Sequence, residues 1–386
     1  MNRERAAALM AEAGADVLVG TSYPNVMYVS GYQPFSQRFL PSSQVYAIYD
    51  GARTAVVAPI GDADMYAQFP PDGVRMAFYG TFYTEAGPAE TDEMRRFAAV
   101  ALGQGHPPAR EVLTAELEAL PKSARIALDE CGIAPAELAF VRERFGARVI
   151  PGAELLDRIR MVKTPDEIRR LTGAVTAIEA AYEAALAAAV PGMTESDIAK
   201  VFDRETIARG SSPLFTVIAF GERGALPNAV PGARALAAGD LIRFDIGCRT
   251  EGYASDIART AAFRSASAKQ RAYYAAILAG EDAALRAVRA GVRARDVFAA
   301  AVEGTRAAGI PHYRRHHVGH GIGLDVYDRP SLSATDETVL EAGMVLEVET
   351  PYYEIGLGGL QVEDTVVVTE TGYRMLTRTS RALRIV

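Results

Sequence analysis

Four acidic residues and a histidine in this chain stand where a folded protein least tolerates charge. Asp245 and Asp256 lie in FDIGCRTEGYASDIART, His320 in HHVGHGIGLDVY, Glu349 in MVLEVETP and Glu363 in GLQVEDTVVVT. Each segment is apolar or glycine-rich, and in the strand-like ones the carboxylates interrupt runs of Val, Ile, Leu and Phe. A bare carboxylate buried in such a run costs many kcal/mol or takes up a proton, so cations are the simplest neutraliser. The five residues are read as one site, and two divalent cations balance its four carboxylates in formal charge.

Strand alternation brings the groups together. In LIRFDIG, Ile242, Phe244 and Ile246 share one face of a strand, while Leu241, Arg243 and Asp245 share the other. After a turn at Thr250-Glu251-Gly252, the next strand carries Asp256, Ala258 and Thr260 on one face, so a hairpin places Asp245 and Asp256 on the same surface. In MVLEVET, Val345, Glu347 and Glu349 alternate with Leu346 and Val348; in LQVEDTV, Gln361, Glu363 and Thr365 alternate with Val362, Asp364 and Val366. His320 sits in Gly319-His320-Gly321-Ile322-Gly323, whose glycines let backbone approach closely. Hard, mostly oxygen donors of this kind suit Mn²⁺ foremost, with Co²⁺ or Zn²⁺ as alternatives. Two metals about 3.5–4 Å apart share a water, lower its pKa and polarise a substrate oxygen, which is hydrolase machinery.

With 386 residues the chain is long enough for two domains, and no apolar run approaches the roughly 20 residues of a membrane span. The segment MNRERAAALMAEAGADVLVG lacks the apolar stretch of a signal peptide, so a cytoplasmic protein is expected. A formal charge of −7 and the lack of a basic stripe exclude general nucleic-acid binding, which leaves a small partner. Cys131 and Cys248 have neither a disulfide framework nor a zinc-finger spacing.

Residues 2–14 read as a helix ending at Gly14 and feeding the strand Val17–Val19, with a turn at Tyr23-Pro24-Asn25; VYAIY and TAVVA around Asp50-Gly51 read as a hairpin. Residues 1–150 are therefore expected to form a smaller α/β domain. A boundary near residues 151–163 is indicated by Pro151-Gly152, after which Thr164-Pro165-Asp166-Glu167 opens a long helix to about Ala189, Thr194-Glu195-Ser196-Asp197 opens a second, and Ser267 to about Val288 is a third. Residues 151–386 are expected to be α+β, with helices covering a largely antiparallel sheet.

These motifs match a known family. DIGCRTEGYASDIART, GHGIGLDVY, LEAGMVLEVETP and QVEDTVVVTETG resemble the ligand segments of the pita-bread metallopeptidases, the group of methionine aminopeptidase, aminopeptidase P, prolidase and creatinase. ADVLVGTSYPNVMYVSGY and the linker RMVKTPDEI resemble the creatinase and prolidase branch, so the resemblance covers nearly the whole chain. It implies that Asp245, Asp256, His320, Glu349 and Glu363 are the ligands of two divalent ions, with Asp256 and Glu363 bridging. It further implies that Glu349 handles the water proton, that His316 lies near the substrate and that the protein is a homodimer. His317 is read as structural, and Arg243 as an ion pair within the sheet.

Departures from the family pattern bear on the substrate. Peptidases of this branch carry histidines where this chain has Asn228 and Tyr327, and favour an arginine where it has Gln361. Such donors are worth roughly 10²-fold or more in rate each. Asn228 and Tyr327 still donate hydrogen bonds but supply no positive charge. The leading expectation is a Xaa-Pro dipeptidase-like enzyme acting on a dipeptide, with Glu349, His316 and Tyr327 in the chemistry and Asn228, His316, Tyr327 and Gln361 on the substrate. The alternative keeps the metal site but gives it a non-peptide small molecule, an amide or amine to hydrolyse or an osmolyte for a lyase reaction. A non-enzymatic binding module is the third, and retention of all five ligands speaks against it.

Overall fold

The computed structural model describes residues 1–40, 42–102 and 105–386. The chain divides into two compact units, Met1–Arg160 and Met161–Val386. Val149–Pro151 pairs with Ile126–Leu128 and Gly152 N–H donates to Leu128 O at 2.8 Å, so Pro151-Gly152 lies inside the first unit.

The first unit is built on a six-stranded sheet in the order Val74–Tyr79, Thr54–Pro59, Tyr46–Tyr49, Val17–Gly20, Ile126–Leu128 and Val149–Pro151. Its pairing is mixed, antiparallel across the Asp50-Gly51 hairpin and parallel at both edges. Helix Arg3–Ala13 opens on the Asn2 side chain and closes at Gly14, whose φ of 63° is left-handed. Tyr23-Pro24-Asn25 is not a turn but the first turn of helix Tyr23–Ser30. Proline is tolerated there because its missing N–H has no intrahelical partner to lose. The backbone N–H groups of Thr21 and Ser22 donate to Asp129, a partner 108 and 107 residues away, so no local pattern announced this helix start.

The second unit is built on a nine-stranded sheet, whose path runs Asp328–Ser333, His317–Gly321, Val345–Glu349, Glu363–Val368, Tyr253–Ala262, Leu241–Thr250 and Ser212–Phe220. Neighbours along that path are antiparallel. The turn of the central hairpin places Glu251 and Gly252 at φ 48° and 87°, the pair of left-handed residues that a tight two-residue hairpin requires. Helices Pro165–Ala187, Glu195–Ala208 and Ala268–Ala287 begin with reciprocal capping boxes, at Thr164/Glu167, Thr194/Asp197 and Ser267/Gln270. A further helix, Ala294–Ala307, was not anticipated. It packs against Ala268–Ala287 at Gly280, where an added Cβ would meet Thr305 Oγ1 at 1.8 Å.

One core joins the first two of these helices to Ile242, Phe244, Ile246 and Ile257, and a second joins the other two to Val318, Leu346, Val348, Val362 and Val366. The helices thereby take up the apolar residues of each strand. The alternate residues, Asp245, Asp256, Glu349 and Glu363 among them, share the other face.

Candidate metal centre

Cross-strand register sets the carboxylates side by side. Glu349 lies opposite Glu363, Glu363 opposite Ala258, and Ala258 opposite Asp245. Asp256 is two residues from Ala258 on the same strand face, which places it with the others. Ligand atoms of Asp256, His320 and Glu363 lie within 4.8 Å of one another. Asp256, His320, Glu349 and Glu363 are all buried.

His320 owes its place to a bulge. Gly319 has φ 133°, the strand loses regular register between His317 and Gly321, and a Cβ at position 319 would meet Glu347 O at 2.0 Å. The irregularity carries His317 and His320, three residues apart, to the same carboxylates: His320 Nε2 is 3.9 Å from Asp256 Oδ2, and His317 Nδ1 is 3.2 Å from Glu349 Oε1. His320 Nδ1 lies 3.0 Å from Gly321 O, so it donates there and leaves Nε2 with its lone pair toward Asp256. Burial lowers the His320 pKa to about 4, which keeps the ring neutral as a metal ligand must be.

The acids show the strain of burial together. Desolvation first, then their mutual repulsion, raises Asp256 and Glu363 well above the ordinary carboxyl range. Glu349 rises to about 7, mainly by burial, against the pull of Arg315 and Gln361. Asp245 is raised by burial as well, with Arg243 pulling the other way. Among the described residues Asp256 Oδ1 has no hydrogen-bond partner. An orphaned buried oxygen, a neutral imidazole with a free lone pair and four crowded carboxylates are the donor set that divalent cations satisfy, and the residues fit that role.

Polar neighbours hold the acids in place. Gln361 donates from Nε2 to Glu349 Oε2 at 3.2 Å and accepts from Arg243 Nη1 at 2.9 Å. Arg243, fully buried, also donates to Asp245 Oδ2 at 3.2 Å and to the carbonyls of Leu226 and Pro227 at 2.7 and 2.8 Å. Asn228 follows those carbonyls and is exposed. Tyr327 stacks on the His320 ring with centroids 3.9 Å apart, and burial with the surrounding carboxylates raises its phenol pKa. Tyr327 and His317 line a cavity of about 330 Å³ beside His320.

The expected His316 is exposed, while His317, read from the sequence as structural, faces Glu349. Regular alternation from His320 favours an even spacing on the same face, and only the Gly319 bulge makes the odd spacing correct. Sequence reasoning also passed over Arg315 and Tyr353, whose placement beside the site depends on packing between segments distant in sequence. Arg259 pairs with Asp364 on the opposite face of the sheet.

A curled antiparallel sheet backed by helices, with carboxylates and a histidine converging on one face, defines a metal-dependent hydrolase. The model of metallopeptidase family M24 matches residues 169–370, and that of the creatinase/prolidase N-terminal domain matches residues 2–162. The chain belongs to metallopeptidase family M24, has the pita-bread fold in its second unit and is a metal-dependent peptidase. It is 35% identical to the Xaa-Pro dipeptidase of Pyrococcus furiosus over 60% of this chain and 67% of that protein. It is also 35% identical to the putative dipeptidase YkvY of Bacillus subtilis, over 62% of this chain and 67% of the relative, so each match spans about two thirds of the relative's length. The solved structure of prolidase from Pyrococcus furiosus superposes with a TM-score of 0.76 at 26% identity, covering 97% of this chain and 99% of that one.

Proposed function

We propose that this chain is a dipeptidase that hydrolyses the Xaa-Pro bond of dipeptides with two divalent cations held by Asp245, Asp256, His320, Glu349 and Glu363. The observation that carries the reading is the gathering of Asp256, His320 and Glu363 ligand atoms within 4.8 Å, in a chain similar to Xaa-Pro dipeptidases. Asp256 and Glu363, at the centre of the carboxylates, would hold the cations together with His320. Bound there, such cations supply Lewis acidity and a water of lowered pKa.

The side chains then have separate tasks. Glu349, fixed by Gln361 and beside His317, takes the proton of the attacking water and passes it to the departing proline nitrogen. His317 and Tyr327, on the wall of the cavity, donate to the substrate carbonyl as charge develops on its oxygen. Asn228 offers its amide to the substrate from the loop pinned by Arg243, and His316 is left at the rim. Manganese is proposed as the resident ion because oxygen donors dominate the set. A homodimer is proposed from the family resemblance, and a cytoplasmic location from two cysteines that stand free.

The test is release of proline from a panel of Xaa-Pro dipeptides with Mn²⁺ added; inactivity across the panel refutes the proposal. The alternative of a non-peptide substrate draws on Asn228, Tyr327 and Gln361, and the peptidase relatives do not favour it.

A further inference from the structure

One further carboxylate on the metal face is left without a counter-charge. Glu347 lies opposite His320 on one side and Thr365 on the other, so its side chain stands on the same sheet face as Glu349 and Glu363. Its neighbours Leu346 and Val348 point the other way, into the core under the helices. Glu347 is fully buried; its Oε1 accepts from Thr365 Oγ1 at 3.0 Å, and its Oε2 has no hydrogen-bond partner among the described residues. The adjacent His320 ring is committed elsewhere, to Gly321 O through Nδ1 and toward Asp256 through Nε2.

Location and charge indicate what neutralises it. Directly opposed residues on one sheet face hold their Cβ atoms about 5 Å apart, so Glu347 is the immediate cross-strand neighbour of the His320 ligand. Asp256, which His320 approaches, likewise has an orphaned carboxylate oxygen. Arg243 donates to Asp245 from the same face, so the four ligand carboxylates and this guanidinium carry a net charge of −3, one short of what two divalent cations balance. The Glu347 carboxylate brings that charge to −4. A buried carboxylate oxygen with neither donor nor counter-ion is costly, and a cation within its reach removes the cost.

We propose that Glu347 is a further carboxylate ligand of the two cations, and that this added oxygen donor favours Mn²⁺ over Zn²⁺. Manganese accepts octahedral, oxygen-rich coordination, whereas zinc is most often tetrahedral and takes nitrogen and sulfur donors readily. The inference rests on the metal-centre reading above and is independent of the peptide substrate.

The experiment measures Mn²⁺ and Zn²⁺ binding to the metal-stripped protein by calorimetry, for the parent and for Glu347→Gln. Glutamine keeps the shape and the hydrogen bond from Thr365 but carries no charge, so it reproduces a protonated, purely structural glutamate. Glu347→Gln should weaken Mn²⁺ binding at least tenfold and Zn²⁺ binding less, and should alter the EPR spectrum of the Mn²⁺-loaded protein. Its urea transition without metal should lie at or above that of the parent, which separates loss of a ligand from a folding defect. Glu347→Ala serves if Glu347→Gln does not fold. Unchanged Mn²⁺ affinity in the folded variant overturns the assignment of Glu347 alone, and an equal loss for both ions overturns the preference. A parent that takes up neither ion overturns the metal-centre reading and this inference together.

Discussion

Replacing Arg259 by methionine tests how the buried face of the sheet supports the metal centre. Arg259 and Asp364 are both almost wholly buried, and Arg259 donates from Nη1 to the backbone carbonyl of Glu363 and from Nη2 to Asp364 Oδ1. The variant loses these two charge-assisted hydrogen bonds, at about 1.5–3 kcal/mol each, together with those to the carbonyls of Ala258 at 3.0 Å and Thr379 at 3.4 Å. Asp364 is not left alone, because Thr377 donates to Oδ1 at 2.6 Å and Arg381 lies 2.8 Å from Oδ2. Methionine refills much of the volume, so the net cost should be about 3–4 kcal/mol, within the range for breaking one partner of a buried pair. Urea unfolding of the metal-stripped protein, followed on the transition of the second unit, measures it. A loss below about 1 kcal/mol would refute the reasoning, because Arg381 alone would then satisfy Asp364. The same variant should bind Mn²⁺ more weakly in calorimetry, since the peptide that carries Glu363 loses an anchor. Arg259→Lys should recover part of both effects.

Four further outcomes are expected. Gly319→Ala should destabilise by at least about 3 kcal/mol or prevent folding, since φ 133° and a Cβ 2.0 Å from Glu347 O leave no room; an unchanged melting temperature would contradict the bulge. His317→Ala should lower kcat/KM on a cleaved dipeptide roughly tenfold or more, whereas His316→Ala should change it little, and the reverse order would remove His317 from the site. The Glu349 carboxyl, raised to about 7 from 4.5, binds its proton more tightly folded than unfolded, so the metal-stripped protein should lose stability as pH rises between those values. Metal needs the deprotonated acid, so Mn²⁺ affinity should fall as pH drops through 7 with proton uptake by Glu349, measurable by calorimetry in buffers of different ionisation enthalpy.

Local pattern determined a great deal here. Alternation with a period of two assigned Asp245, Asp256, Glu349 and Glu363 to one sheet face, because side chains alternate on any strand whatever it pairs with. Capping boxes at Thr164, Thr194 and Ser267 announced three helices, because a cap is made within four consecutive residues. Chemistry of the donor set then indicated divalent cations before any geometry was known.

Tertiary structure decided what depends on partners far away along the chain. Helix Tyr23–Ser30 begins where Asp129 receives its first N–H groups, and Arg243 meets Gln361 across a separation of 118 residues. Which histidine faces Glu349 turned on a bulge that shifts the strand by one position, and a one-residue slip moves every following side chain to the other face. Composition and motif determine which groups must be neutralised together; only the packed sheet determines which neighbours remain free to meet a substrate.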